Sequence, residues 1–415
     1  MFLSRQVDQL RHIYDEYPNQ FWTLVLATFI DRLGGALLYP FFTLYITRKF
    51  GVGMTQVGLL FGLFSAAGLV GSTLGGALTD RLGRKVMLIA GLIVSALSSL
   101  VMGVVDSFDI FFAVALFVGL FAEAGGPAQQ AMVADLLPEE KRSQGFGILR
   151  VALNLAVTIG PAIGGLLAAR SYLLLFICDA VASIITAGIV AVALPETMPR
   201  RRPDEPRPTM AQTLGGYREV LRDTAFLLFL AACTLMVFVY MQMETTLAVY
   251  LRDVHGVPEQ GFGLLLSLNA AMVVLFQFPI TRQIRRHRPL MVMAAGTLLY
   301  AVGFSIYGFV STYVLFLVAM VIITTGEMLT VPTSQTIVAQ MAPEDMRGRY
   351  MAAFGFSYGI PFMLGTLLAG LVMDYGDPRW VWYGAGLLGL VAAACFGLLQ
   401  RRTDRQVEMP AKIED

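Results

Sequence analysis

Charge is scarce in this chain. Of 415 residues, 14% are Asp, Glu, Lys or Arg, while 56% are hydrophobic and the mean hydropathy is +0.68. Soluble domains usually carry roughly a quarter charged residues. One soluble core cannot hide this much apolar surface, so a lipid bilayer is the expected solvent. Cysteine is also rare. Cys178, Cys233 and Cys395 all lie in apolar runs, with no CxxC and no Cys/His cluster, which argues against a metal site or a disulfide framework. The three histidines, His12, His255 and His287, are scattered outside the apolar runs. There is no nucleotide-binding loop and no Ser/His/Asp constellation, so neither an enzyme nor an ATP-driven pump is expected. The net charge of +1 gives no reason to expect a nucleic-acid partner. Residues 1–19 are polar and read as lacking a cleavable signal peptide. Leu3, Val7, Leu10, Tyr14 and Tyr17 sit at helical spacing there, which fits a short surface helix or a solvated tail.

What is present is long apolar runs. A helix needs roughly 20 apolar residues to cross a bilayer. The runs predict spans at 20–47, 54–79, 86–105, 109–134, 146–168 and 172–194. A second set follows at 224–250, 261–281, 290–310, 313–337, 350–373 and 380–399. The expected domains are an N-terminal six-helix bundle (1–194), a linker (195–223) and a C-terminal six-helix bundle with a tail (224–415). The linker holds Arg200-Arg201-Arg202-Pro203-Asp204-Glu205-Pro206-Arg207-Pro208, a charged, proline-rich connector. Lys and Arg number 23 in the termini and the segments on their side, against 5 (Arg48, Lys49, Arg170, Arg252, Arg379) on the other. By the positive-inside rule both termini are expected in the cytoplasm, with the protein in the cell membrane.

The halves repeat at an offset of 205 residues. Ala134 to Arg142 matches Ala339 to Arg347, and Pro127, Gly91, Gly160, Gly165 and Tyr45 meet Pro332, Gly296, Gly365, Gly370 and Tyr250. Six spans separate the copies, so they are parallel repeats. Such repeats place a binding site at their interface and expose it by rocking.

Between spans 2 and 3 stands Gly76-Ala-Leu-Thr-Asp80-Arg81-Leu-Gly83-Arg84-Lys85. It resembles the loop 2–3 signature of the major facilitator superfamily, and with twelve spans and a linker the resemblance covers the whole chain. The implied fold is all-α and polytopic, with two pseudo-symmetric six-helix bundles. The implied role of the signature is a cytoplasmic gate, in which Asp80 meets the positive N-terminus of span 11 near Arg347. The copy at 281–290 keeps only positive charge, so the gate is expected to be asymmetric. In span 5, Ala156-Val-Thr-Ile-Gly160-Pro161-Ala-Ile-Gly164-Gly165 resembles the GPxxGG signature of drug–proton antiporters, with Ala in place of its first Gly. Small residues permit close packing and proline bends the helix. The span 4 arginine of that branch would fall near Ala115, so its role does not transfer.

Ionisable residues inside spans are expected to be functional. Asp31, Glu123 and Glu327 lie deepest, joined by Arg32, Arg150, Asp179 and Glu244. Helical spacing groups Thr28, Asp31, Gly35 and Tyr39 in span 1, Arg150, Asn154, Thr158 and Pro161 in span 5, and Thr324, Glu327, Thr330 and Ser334 in span 10. In the superfamily, spans 1, 4, 7 and 10 line the cavity. The proton-coupling candidates are Asp31 first, assisted by Glu123 or Glu327, with Arg150. The alternative for Asp31 is a permanent ion pair with arginine. Arg32, Gly35, Tyr39, Asn154, Tyr240 and Glu244 are cavity candidates. Glu244 sits nearer the outer end and Asp179 at a helix edge, and the expectation for both leans to a structural role.

The leading expectation is a monomeric secondary transporter, without cofactor and coupled to protons, exporting small amphipathic or cationic compounds. A second is a proton symporter of peptides or sugars. Phe29-Ile-Asp31-Arg32 resembles part of the span 1 pattern of proton–peptide symporters, and Pro195-Glu196-Thr197 resembles sugar porters. A third is a lipid flippase on the same fold.

Overall fold

The computed structural model describes residues 14, 16–122, 125–198, 219–284, 286–343 and 346–408. Inside its helices, the side chains of residues 72, 73, 76, 77, 80, 122, 139, 143, 347, 348 and 403–408 lie outside the description. So does most of the linker. Among the described residues, twelve helices are long and apolar enough to cross a membrane.

Span 1 runs Asn19–Phe50, with a 3-10 turn at Tyr39–Phe41 where Pro40 supplies no N–H. Span 2 is Met54–Leu82, span 3 Arg84–Val104, span 4 Phe108–Leu136, span 5 Glu139–Ala168 and span 6 Tyr172–Ala193. Span 7 is Thr224–Thr245, span 8 Glu259–Ile284, span 9 Pro289–Phe309, span 10 Tyr313–Met341, span 11 Arg347–Tyr375 and span 12 Arg379–Glu408. Span 7 is shorter than its apolar run. It stops at Thr245, and a separate helix follows at Leu247–His255. Thr245 Oγ1 donates to the Met241 carbonyl and Thr246 Oγ1 to Gln242 Oε1. Back-bonding of the Thr245 kind, to the carbonyl one turn earlier, bends helices.

The backbone carries the 205-residue period. Helices start at Asn19, Phe42, Met54, Arg84 and Phe108 in the first half, and at Thr224, Leu247, Glu259, Pro289 and Tyr313 in the second. The short helices Phe42–Phe50 and Leu247–His255 correspond residue for residue, and each ends on a left-handed glycine, Gly51 (φ 63°) or Gly256 (φ 66°). Side-chain-bearing residues rarely adopt that conformation. The packing partners repeat too. Span 1 packs on spans 5 and 6 and span 3 on spans 4 and 6, as span 7 packs on 11 and 12 and span 9 on 10 and 12.

By contact the chain divides into two units, residues 1–42 with 63–203, and residues 43–62 with 204–415. The sequence repeat puts 43–62 in the first half, yet these residues pack within the second unit. The first unit's core gathers Phe21, Leu24, Met87, Leu92, Met132, Val133 and Val190. In the second unit Trp382 is fully buried, stacked with Phe304 at 6.4 Å and edge-on to Tyr250 at 4.9 Å. Many large apolar side chains remain exposed, among them Leu69, Leu74, Val192 and Phe278. Water would penalise such surface and lipid does not.

Candidate functional site

The loop 2–3 signature turns on Gly83. Its φ of 104° and ψ of 155° belong to glycine, and a Cβ there would lie 2.4 Å from Glu196 Oε2. The space is occupied because Glu196, just beyond span 6, caps span 3. Its carboxylate accepts from the Arg84 N–H at 2.9 Å and the Lys85 N–H at 3.1 Å. Arg84 Nε pairs with Asp135 Oδ2 at 3.1 Å, and Thr197 Oγ1 donates to the same oxygen at 3.2 Å. Lys85 Nζ donates to the Ala191 carbonyl at 2.6 Å. The signature thus ties the ends of spans 2, 3, 4 and 6 within the first unit. Glu196 and Asp135 were not expected in this role, although both stand in sequence motifs. Arg81 is exposed. The side chains of Gly76, Asp80 and Arg347 fall outside the described residues, and the expected contact of Asp80 with span 11 falls with them.

The span 5 signature packs on span 1. A Cβ on Gly160 would meet the Ala36 Cβ at 2.5 Å, and one on Gly164 would meet the Leu37 carbonyl oxygen at 2.4 Å. Pro161 lies inside the helix, and Gly165 is buried. Two backbones approach here because neither glycine carries a side chain.

Asp31 is half-buried, and its Oδ1 accepts from Ser183 Oγ of span 6 at 3.0 Å. Asp179 is buried within span 6, inside the helix rather than at its edge, and accepts a hydrogen bond from Ser99 of span 3. The two acids act on each other electrostatically, and Arg32 acts on Asp31 without ion-pair contact. Asp31 is therefore engaged at a seam of spans 1 and 6 within the first unit. Gly35 borders the same seam, where a Cβ would lie 3.9 Å from Asp179 Oδ1. Arg32, Tyr39, Arg150 and Asn154 are exposed. Glu123 lies outside the described residues.

The second unit holds an acid with partners on two other spans. Glu327 of span 10 accepts from Asn269 Nδ2 of span 8 at 2.7 Å and from Tyr240 OH of span 7 at 3.3 Å. Asn269 Nδ2 also donates to Thr324 Oγ1 at 3.0 Å, and Thr330 Oγ1 donates to Tyr300 OH at 3.1 Å. The Tyr240 and Tyr300 rings lie 5.7 Å apart. Glu244 stands one helical turn after Tyr240, and the charge of Glu327 acts on it. Among the described residues no Lys or Arg pairs with Glu244 or Glu327. Glu327 was expected as a proton-coupling candidate, and Tyr240 and Glu244 as cavity candidates. Asn269 was missed, although an amide inside an apolar run is a signal in itself.

Twelve spans in two parallel repeats, with acids held inside them by neutral donors, define a polytopic helical transporter. The chain belongs to the Major Facilitator Superfamily, whose family model matches residues 24–366 and 247–415. A Na(+), Li(+), K(+)/H(+) antiporter of Planococcus maritimus is 28% identical over 406 residues, covering 88% of this chain and 93% of that protein. Multidrug resistance protein MdtH of Escherichia coli is 24% identical over 92% of this chain and 95% of its own length. Among solved structures, the nucleoside transporter NupG matches with a TM-score of 0.75 at 14% identity, covering 92% of this chain and 99% of that one. A transporter of the POT family matches at 0.75 and 15% identity, over 93% and 96%. At that identity the structural likeness concerns the fold alone.

Proposed function

We propose that this transporter exchanges protons for small amphipathic or cationic compounds, exporting them by alternating access. The observation that carries the reading is the acid pair Glu327 and Glu244 in the second unit, with hydroxyl and amide neighbours and no basic partner among the described residues. An unpaired carboxylate in a membrane span is costly as an anion. It gains by taking either a proton or a positively charged solute, and the two compete for one charge. The cation arrives, the proton leaves Glu327, and the Asn269 amide and Tyr240 hydroxyl hold the exposed carboxylate in place. The aromatic rings of Tyr240 and Tyr300 suit an amphipathic cation. We place the charge step at Glu327 rather than Asp31, because Ser183 and the neighbouring Asp179 commit Asp31 to its own bundle. The excess of Lys and Arg on the side of the termini supports a cytoplasmic placement of both. We read the protein as a monomer in the cell membrane, with no cofactor.

A second reading is exchange of alkali cations for protons. Oxygens of Glu327 and Thr324 meet at the Asn269 amide and the Tyr240 hydroxyl reaches Glu327, and hard cations favour oxygen ligands. The Planococcus antiporter makes the same reading worth testing.

Purified protein in proteoliposomes under an imposed pH gradient tests both. Tetraphenylphosphonium, ethidium, Na⁺, K⁺, a dipeptide and a nucleoside are compared as solutes. Gradient-driven movement of a cation that is lost in Glu327→Gln supports the proposal. Undiminished transport by Glu327→Gln, or movement of the dipeptide alone, defeats it.

A further inference from the structure

Asp374 ends span 11 on the face opposite the termini. Its Oδ1 accepts from the Met54 N–H at 2.9 Å and its Oδ2 from the Thr55 N–H at 2.8 Å. These are the first amides of span 2, where the unsatisfied donors and the helix dipole favour an anion. Three further observations surround this cap. Glycines let spans 2 and 11 approach backbone to backbone: a Cβ on Gly58 would lie 2.4 Å from the Leu367 Cα, and one on Gly370 2.4 Å from the Met54 carbonyl oxygen. Phe61 stacks on Phe362 at 5.5 Å. Two arginines tie the end of span 1: Arg48 pairs with Glu259 at 2.7 Å, and Arg252 Nη1 donates to the Leu44 carbonyl at 3.2 Å and to Thr47 Oγ1 at 3.0 Å. These contacts explain why residues 43–62 pack within the second unit.

We propose that the Asp374 carboxylate on the N-terminus of span 2 is a latch for the face opposite the termini, closed in this state and broken when the transporter opens there. It uses the same two helices as the loop 2–3 signature with their ends exchanged. In that signature an Asp at the end of span 2 is expected to meet the start of span 11. Here an Asp at the end of span 11 meets the start of span 2. The latch is thus the mirror, at this end of the helix pair, of the clamp that the signature is expected to make at the other. The inference rests on the alternating-access reading but not on the identity of the solute.

The test uses full-length protein in lipid nanodiscs without substrate, so it stands apart from the flux assay on Glu327. Hydrogen exchange reads the Met54 and Thr55 amides. Spin labels on cysteines at Ser171 and Thr312, in loops on the same face as the latch, read its opening. Asp374→Ala and Asp374→Asn are expected to raise exchange of those amides about tenfold or more, from loss of charge-assisted hydrogen bonds, and to shift the label distances longer. Gly53→Ala is expected to act in the same direction, because its Cβ would lie 2.4 Å from Asp374 Oδ2. It decides the question if the Asp374 variants do not fold. Unchanged exchange and distances overturn the proposal. Faster exchange with unchanged distances also overturns it, leaving Asp374 as a local helix cap.

Discussion

Replacing Gly83 by alanine should damage the loop 2–3 junction by two routes that can be separated. The first is backbone strain, since φ 104° and ψ 155° lie where residues with a Cβ rarely go. Such strain costs about 1–3 kcal/mol. The second is displacement of Glu196, whose Oε2 would stand 2.4 Å from the new methyl. The displaced carboxylate would release the Arg84 and Lys85 amides. Glu196 is exposed, so its cap is worth only about 1 kcal/mol. The expected total is about 2–4 kcal/mol of lost stability, measured by chemical or thermal unfolding in detergent micelles. A double-mutant cycle with Glu196→Ala divides it. If the methyl already expels Glu196, the second substitution adds little, and the coupling is about 1 kcal/mol. Additive losses, or a Gly83→Ala protein within about 0.5 kcal/mol of wild type, would refute the reasoning.

Gly164→Ala should weaken the packing of span 5 on span 1 by about 1–3 kcal/mol and lower transport, because the nearest obstacle is the Leu37 backbone and not a flexible side chain. Thermal unfolding and flux measured on the same preparation check it. His255 sits against Tyr250, with Nε2 3.2 Å from the phenolic oxygen, and burial, followed by the nearby Arg379 charge, holds its pKa below the ordinary 6.5. The neutral form is favoured in the folded protein. Its contribution to stability is therefore present above pH 6.5 and declines as pH falls toward the lowered folded value. Unfolding midpoints across pH 5 to 8 should be flatter for His255→Gln than for wild type.

Much of the architecture was legible because the bilayer reduces a helix to a long apolar run, and because the repeat printed itself twice. Pro127 with Pro332 and Tyr45 with Tyr250 gave the offset that the helix starts then follow. The break after Thr245 was not legible, since threonines that bond back to the preceding turn look apolar enough to extend a span. The acids were found by their cost in lipid, but their ranking was not. Asp31 stood deepest by counting, yet its partner Ser183 lies 152 residues away and leaves no trace in local spacing. Glu327 gained its place through Asn269, 58 residues away and equally invisible to local spacing. The capping roles of Glu196 and Asp374 escaped notice because each lies at the edge of the membrane, where a carboxylate needs no explanation until the amides it caps are seen.

The packing of residues 43–62 within the second unit has a consequence for how the chain is assembled. The gene duplication reads as two successive halves, but the folded units are interleaved. A fragment ending in the linker would carry away the segment that covers Asp374, Glu259 and Arg252, and the remaining fragment would lose the backbone of span 2 against Gly370 and Leu367. The two halves are thus separate copies in ancestry and joint owners of one piece of chain in structure. The second half therefore completes its packing with a segment synthesised long before it.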